Sequence, residues 1–166
     1  MADIKLGEEY AKELDAEFTS TRKCLERIPE TLFQWKPHPK SMELGYLTIL
    51  VAEIPKWITV SLQEGEIDFA TFSHGSPKTT ADVVKYFDDN VAAAKKALNN
   101  ASNEDFNATF SLKNSGHLLY SSTMKDNVSS CVNHMVHHRG QLTVYMRLNE
   151  IAVPSIYGPS ADDKTF

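Results

Sequence analysis

The stretch His134-Met135-Val136-His137-His138-Arg139-Gly140-Gln141-Leu142 places two histidines four residues apart near the carboxyl end of the chain. Side chains four residues apart lie on one face of an α-helix, with about 5–6 Å between their Cβ atoms. Both imidazoles can therefore converge on one divalent ion, although a catalytic zinc site usually takes about three protein ligands. The stretch predicts a helix with either an incomplete metal site or two inward histidines that hydrogen bond to polar neighbours.

The same stretch is part of a longer helical pattern that predicts a helix from about residue 123 to residue 150. Its inward positions recur at steps of three and four residues: Val128, Cys131, Met135, His138, Leu142 and Tyr145. A projection at about 100° per residue puts His138 inside this stripe, His134 on its edge and His137 nearly opposite. We therefore expect His134 and His138 to point toward a neighbouring helix and His137 to lie at the rim.

Three other side chains of this helix bear on the pocket that the two histidines face. Cys131 and Tyr145 share their edge of the helix, so both are expected to border the pocket. Cys131 is either a soft metal ligand or a small core residue. Arg139 either forms a structural ion pair with a carboxylate or binds an anionic ligand.

Two further helical patterns lie before residue 63. The first covers about residues 5–28, with apolar residues three and four apart, and Pro29 ends it. The second runs from about residue 42 to residue 62, and Ser41 can cap it. Pro55 removes a hydrogen bond near its middle, which predicts a kink rather than an end because apolar residues continue on both sides.

A third pattern lies after a connection at residues 63–78, which reads as a loop. Thr79 or Thr80 can cap it, and Asn99 and Asn100 end it. Its core stripe steps by three and four residues: Val84, Phe87, Val91, Ala94 and Leu98. Residues 101–122 predict an irregular connection that can include a short hairpin. Four long helices without a convincing set of strands predict an all-α fold, a four-helix bundle, in a single domain of residues 1–166.

Composition narrows the function classes. The chain has 166 residues, 42% of them hydrophobic, and a net charge of −5. It has no long basic run, so we expect no nucleic-acid binding, and no apolar run long enough for a membrane helix. Without an apolar export signal the expected location is the cytoplasm, where Cys24 and Cys131 stay reduced. Nucleophile elbows, phosphate-binding loops and CxxC pairs are absent from the sequence. His38 and His74 lie in predicted loops and are expected at the surface.

The segment from His134 to Tyr145 closely resembles the signature of the DinB-like (DinB/YfiT) family. The segments at residues 35–45, with Leu44-Gly45, and 153–162, with Tyr157-Gly158-Pro159, also resemble the corresponding parts of that family. The resemblance implies a four-helix bundle with up-down-down-up connectivity and long crossover connections, commonly a homodimer. It also implies a divalent metal (zinc, nickel, manganese or iron) held by three histidines, in hydrolases or thiol transferases that act through the ion.

The resemblance maps two of the three family ligands onto His134 and His138. The third lies on the second helix, in a pattern similar to Leu-Gly-x-Leu-x-x-His-x-Ala-Glu, and here that position is Leu50. A leucine offers no lone pair, so the site is completed by Glu53, by Cys131 or by solvent.

Two hypotheses follow from this departure. In the first, the chain is a metal-dependent hydrolase or thiol transferase with a weakened site on His134 and His138. In the second, it is a non-catalytic dimeric bundle whose former metal pocket binds a small ligand or only packs. Leu50 favours the second hypothesis, and retention of the two histidines favours the first.

Overall fold

The computed structural model describes residues 4–165 and is mostly helical. Its four long helices are α1 (Leu6–Leu25), α2 (Leu44–Glu64), α3 (Thr80–Asn100) and α4 (Met124–Leu148). Helices α1 and α2 each pack against both α3 and α4. None of the helices in the described range is long and apolar enough to cross a membrane.

The helix boundaries follow local capping chemistry. At the start of α3 the Thr79 side chain accepts a hydrogen bond from the Asp82 N–H, and the Asp82 carboxylate accepts one from the Thr79 N–H. At the start of α4, Thr123 accepts in the same way from the Asp126 N–H. Each pair satisfies donors that the first helical turn leaves without partners. The predicted starts of α3 and α4 are thereby confirmed.

The prediction that Ser41 caps α2 is wrong. The helix begins at Leu44, whose N–H donates to the Trp35 carbonyl at 2.7 Å, and the Gly45 N–H donates to the Phe33 carbonyl at 2.9 Å. Backbone carbonyls of the preceding segment therefore take the place of a side-chain cap. The helix continues through Pro55, as predicted.

A three-stranded sheet corrects the all-α prediction. Strands β1 (Glu66–Asp68), β2 (Thr109–Asn114) and β3 (His117–Thr123) lie in that order, with β1 parallel to β2 and β2 antiparallel to β3. The β2–β3 pair is the hairpin that residues 101–122 were expected to allow. Residues 63–78 are not all loop, because β1 lies among them. A strand of three residues is too short to show a period, and its partner is distant in sequence.

The apolar faces of the four helices meet in one core. On α3 the buried positions include Val83, Phe87, Val91, Ala94 and Leu98, so Val83 takes the inward place predicted for Val84. Gly7 lets α1 approach the end of α3 closely, because a Cβ there would lie 2.0 Å from the Leu98 carbonyl oxygen. Helix α1 ends at Leu25, before the predicted boundary at residue 28.

A buried ion pair joins α4, α1 and the segment after α4. Arg139 is 1% exposed, and its Nη1 lies 2.6 Å from the Glu17 carboxylate. The same nitrogen donates to Ser20 and Thr21, both at 2.9 Å, and Nη2 donates to the Tyr157 hydroxyl at 2.9 Å. A buried guanidinium is stable only with such partners. Arg139 thus forms the structural ion pair that was one of its two predicted roles.

Replacing Arg139 by methionine should lower the free energy of unfolding by about 3 kcal/mol, because Glu17 then keeps a largely buried charge without its partner. Urea denaturation followed by circular dichroism measures the change. Arg22→Met is the control, since its ion pair with Asp88 is more than one-third exposed on both sides and should contribute about 1 kcal/mol or less. Equal losses in the two variants would contradict this role of Arg139.

Candidate functional site

A cleft of about 690 Å³ lies between α2, the segment that follows β1, and α4. Helix α2 lines it with residues three and four apart, which share one face of the helix. The lining residues are Tyr46, Ile49, Leu50, Glu53 and Trp57 of α2, His134 of α4, and Phe69 and residues 74–78 of the connecting segment. The cleft therefore has an apolar wall and is lined by His134, one of the two paired histidines.

His134 and His138 converge as the helical projection predicts. Their Nε2 atoms lie 2.8 Å apart, and the Nδ1 atom of His138 lies 2.7 Å from the Gln141 amide oxygen. An amide oxygen only accepts, so the His138 Nδ1 carries a hydrogen, and one of the two Nε2 atoms donates to the other. The two imidazoles thus share one hydrogen at the place where a common metal ion would bind.

Burial holds His134 in its neutral form. Desolvation, with smaller contributions from His138 and His137, lowers the pKa of His134 from 6.5 to about 4. A neutral imidazole can accept a hydrogen bond or bind a metal without first losing a proton. His137 is exposed, which confirms its predicted place at the rim, and its ring lies edge-on to that of His138 with centroids 5.0 Å apart.

Glu53 is buried in the wall of the cleft, with 3% exposure. One carboxylate oxygen lies 2.6 Å from the His74 Nδ1, and the other accepts from the Gly75 N–H at 2.7 Å and the Tyr86 hydroxyl at 2.9 Å. Burial, followed by the bond to Glu53, raises the pKa of Tyr86 to about 12, so its hydroxyl stays a donor. Glu53 therefore binds α2 to α3 and to the segment that closes one side of the cleft.

The residues considered as a third metal ligand do not form a three-ligand group with the two histidines within residues 4–165. Leu50 lines the cleft with an apolar side chain, and both oxygens of Glu53 have protein partners. Cys131 is 4% exposed, and burial raises its pKa to about 12. Tyr145 packs edge-on against Trp35, with ring centroids 5.6 Å apart, outside the residues that line the cleft.

The residues present do not fit a three-ligand metal site. Within residues 4–165, no group of three or more His, Cys, Asp or Glu side chains is placed to hold one ion. His134 and His138 supply two nitrogens, and Leu50 stands where the family resemblance expects a third. Cys24 and Cys131 are both free thiols.

Sequence reasoning missed the partners of Glu53. His74 was expected at the surface, and its side chain is indeed 57% exposed, yet its Nδ1 contacts the buried carboxylate. The available signal was Glu53 itself, because a lone carboxylate within the apolar run Ile49–Pro55 needs buried donors. The identity of those donors depends on where residues 74–86 fold back, which no local pattern reveals.

Comparisons with known proteins agree on one family. The sequence pattern of the DinB family matches residues 1–165. The crystal structure of a DinB-like protein from Bacillus subtilis is similar with a TM-score of 0.71 at 16% identity, over 94% of this chain and 99% of that one. A DinB-like protein from Bacillus cereus ATCC 10987 gives a TM-score of 0.68 at 20% identity, over 90% and 97%. No curated protein sequence matches the chain.

Glu53→Gln should loosen the segment at residues 74–78, because an amide replaces one charged acceptor oxygen with a donor. Trypsin cleavage after Lys78 should become about tenfold faster, since local opening governs cleavage of a folded segment. Glu64→Gln, at the exposed end of α2, serves as the control. Unchanged cleavage in Glu53→Gln would show that the three hydrogen bonds do not hold the segment.

Proposed function

The chain belongs to the DinB family, and we propose that it binds a small, largely apolar molecule in the cleft beside His134. The observation that carries this proposal is the pairing of Leu50 with Glu53 on the cleft wall. Leu50 offers apolar contact where the resemblance expects a metal ligand, and Glu53 is already bound to His74, Gly75 and Tyr86. The wall thus favours an apolar molecule over a tightly held ion.

The size and surface of the cleft support this proposal. Small-molecule sites are mostly apolar clefts of roughly 300–1,000 Å³ with few polar groups, and this cleft has about 690 Å³. Two of its aromatic residues are unusually open to solvent, Tyr46 at 61% and Phe69 at 40%. A bound molecule that covers them gains the free energy of removing apolar surface from water. Neutral His134 offers a polar contact at the inner end.

In this proposal, His134 and His138 bind a divalent metal ion only weakly. The two Nε2 atoms, 2.8 Å apart, would be the ligand atoms, and the hydrogen that they share would have to leave before both lone pairs could face one ion. Solvent would fill the remaining positions, so we expect an affinity for zinc, nickel, manganese or iron far below that of a three-histidine site.

A second candidate function is the metal-dependent hydrolase or thiol transferase that the family resemblance implies. The convergence of the His134 and His138 nitrogens favours it. The absence of a third ligand within residues 4–165 weighs against it. The homodimer, the up-down-down-up connectivity, the single-domain organisation and the cytoplasmic location stay predictions of the sequence.

The neutral probe phenylacetamide tests the proposed function. Its titration into ¹⁵N-labelled protein should give saturable chemical-shift changes at the cleft-lining residues, including the Trp57 indole N–H. Leu50→Trp should abolish the changes, because the larger side chain fills the cleft. Leu118→Trp is the control, since Leu118 is 62% exposed on β3 and does not line the cleft.

Two outcomes would contradict the proposed function. Wild-type protein without a saturable response to the probe at concentrations up to about 10 mM would leave the cleft without measurable affinity, since this limit corresponds to roughly −3 kcal/mol of binding free energy. A saturable response at residues outside the cleft would place binding elsewhere. Either result stands independently of how well Leu50→Trp folds.

A further inference from the structure

Glu53, the acidic group of the cleft, is little accessible to a cationic ligand. Glu53 is the one carboxylate among the residues that line the cleft within residues 4–165. Its oxygens accept from the His74 ring, the Gly75 N–H and the Tyr86 hydroxyl. These donors take three of its roughly four lone-pair directions, and Glu53 is only 3% exposed. A cation that enters the cleft would therefore lose water with little access to this carboxylate.

Lys78, the basic group of the cleft, is accessible to a ligand. Lys78 lines the rim and is exposed. Lys85 pairs with Asp89 at 2.6 Å, whereas Lys78 forms no ion pair within residues 4–165. Its ammonium group can therefore reach a ligand without first breaking a contact inside the protein. The charged group of the cleft that a ligand can reach is therefore positive, which favours an anion.

Trp57 forms part of the apolar wall of the cleft. Its indole Nε1–H is shielded from solvent and has no hydrogen-bond partner within residues 4–165, so a ligand in the open cleft contacts the ring rather than this N–H. The Trp57 ring also contacts Phe69 and His134, at centroid distances of 6.4 Å and 5.3 Å. Trp57 therefore joins the apolar wall to His134.

We propose that the cleft selects a small organic monoanion, with its apolar body against Leu50 and Trp57 and its carboxylate-type group at Lys78. This inference rests on the proposed function and adds the chemical class of the ligand. The apolar wall accounts for the body of the ligand. The unpaired ammonium group of Lys78 accounts for its charge. The engaged carboxylate of Glu53 accounts for the exclusion of cations.

Phenylacetate and phenylacetamide, which share ring and size but differ in charge, test the inference. Phenylacetate should bind about fivefold more tightly at low salt, the effect expected of one exposed ion pair, and the preference should shrink at 0.5 M NaCl. Lys78→Met should remove the preference for phenylacetate over phenylacetamide. Lys85→Met, which removes an exposed lysine away from the cleft, should keep it. The indole N–H resonance of Trp57 should move with phenylacetate, and that of Trp35 should not.

The outcomes separate this inference from the proposed function. Equal affinities for the two probes in wild-type protein, or a preference that survives in Lys78→Met, would overturn the selection of anions and leave the cleft as a binding site. Saturable binding of neither probe would overturn both proposals. Tighter binding of phenethylamine than of phenylacetate would show that Glu53 remains open to cations and would also overturn the inference.

Discussion

A carboxylate buried among apolar side chains is stable only if donors replace the water it has lost, and Glu53 meets this constraint at the centre of the cleft. Its donors come from two places, Tyr86 on α3 and residues 74–75 of the segment before it. Because these partners must meet at one carboxylate, α2, α3 and the connecting segment are held in fixed relation. The cleft lies between α2, this segment and α4, and the wall formed by the segment depends on the same three hydrogen bonds.

The same constraint explains why Glu53 does not replace the missing metal ligand. A carboxylate that turned toward His134 would leave Tyr86 and the Gly75 N–H without their acceptor, at a cost of about 1–3 kcal/mol for each unsatisfied group. Leu50, one turn earlier on α2, contributes only apolar surface. The histidine pair consequently faces a wall that supplies contact for an apolar molecule and no third lone pair for an ion.

The sequence predicted the parts of this arrangement that depend on local pattern. The spacing of His134 and His138, the outward position of His137 and the caps at Thr79 and Thr123 all follow from helical geometry or nearest neighbours. The parts that depend on contacts between residues distant in sequence could not be predicted from local pattern. Strand β1 pairs with β2 across residues 69–108, and Glu53 meets His74 and Tyr86 only after the chain folds back. Tyr145 was expected at the pocket because it shares an edge with His138, yet it packs on Trp35, a partner that α4 alone does not reveal.

The central claim is that position 50 decides whether the histidine pair holds a metal ion tightly. Isothermal titration of untagged, metal-free protein with zinc tests it most directly, beside Leu50→His and the control Gln63→His, an exposed position of α2 outside the cleft lining. We expect weak binding by wild-type protein and Gln63→His, and an affinity at least about 100-fold higher in Leu50→His, because a third imidazole completes the ligand set. Tight stoichiometric binding by wild-type protein, or no gain in Leu50→His, would contradict the account.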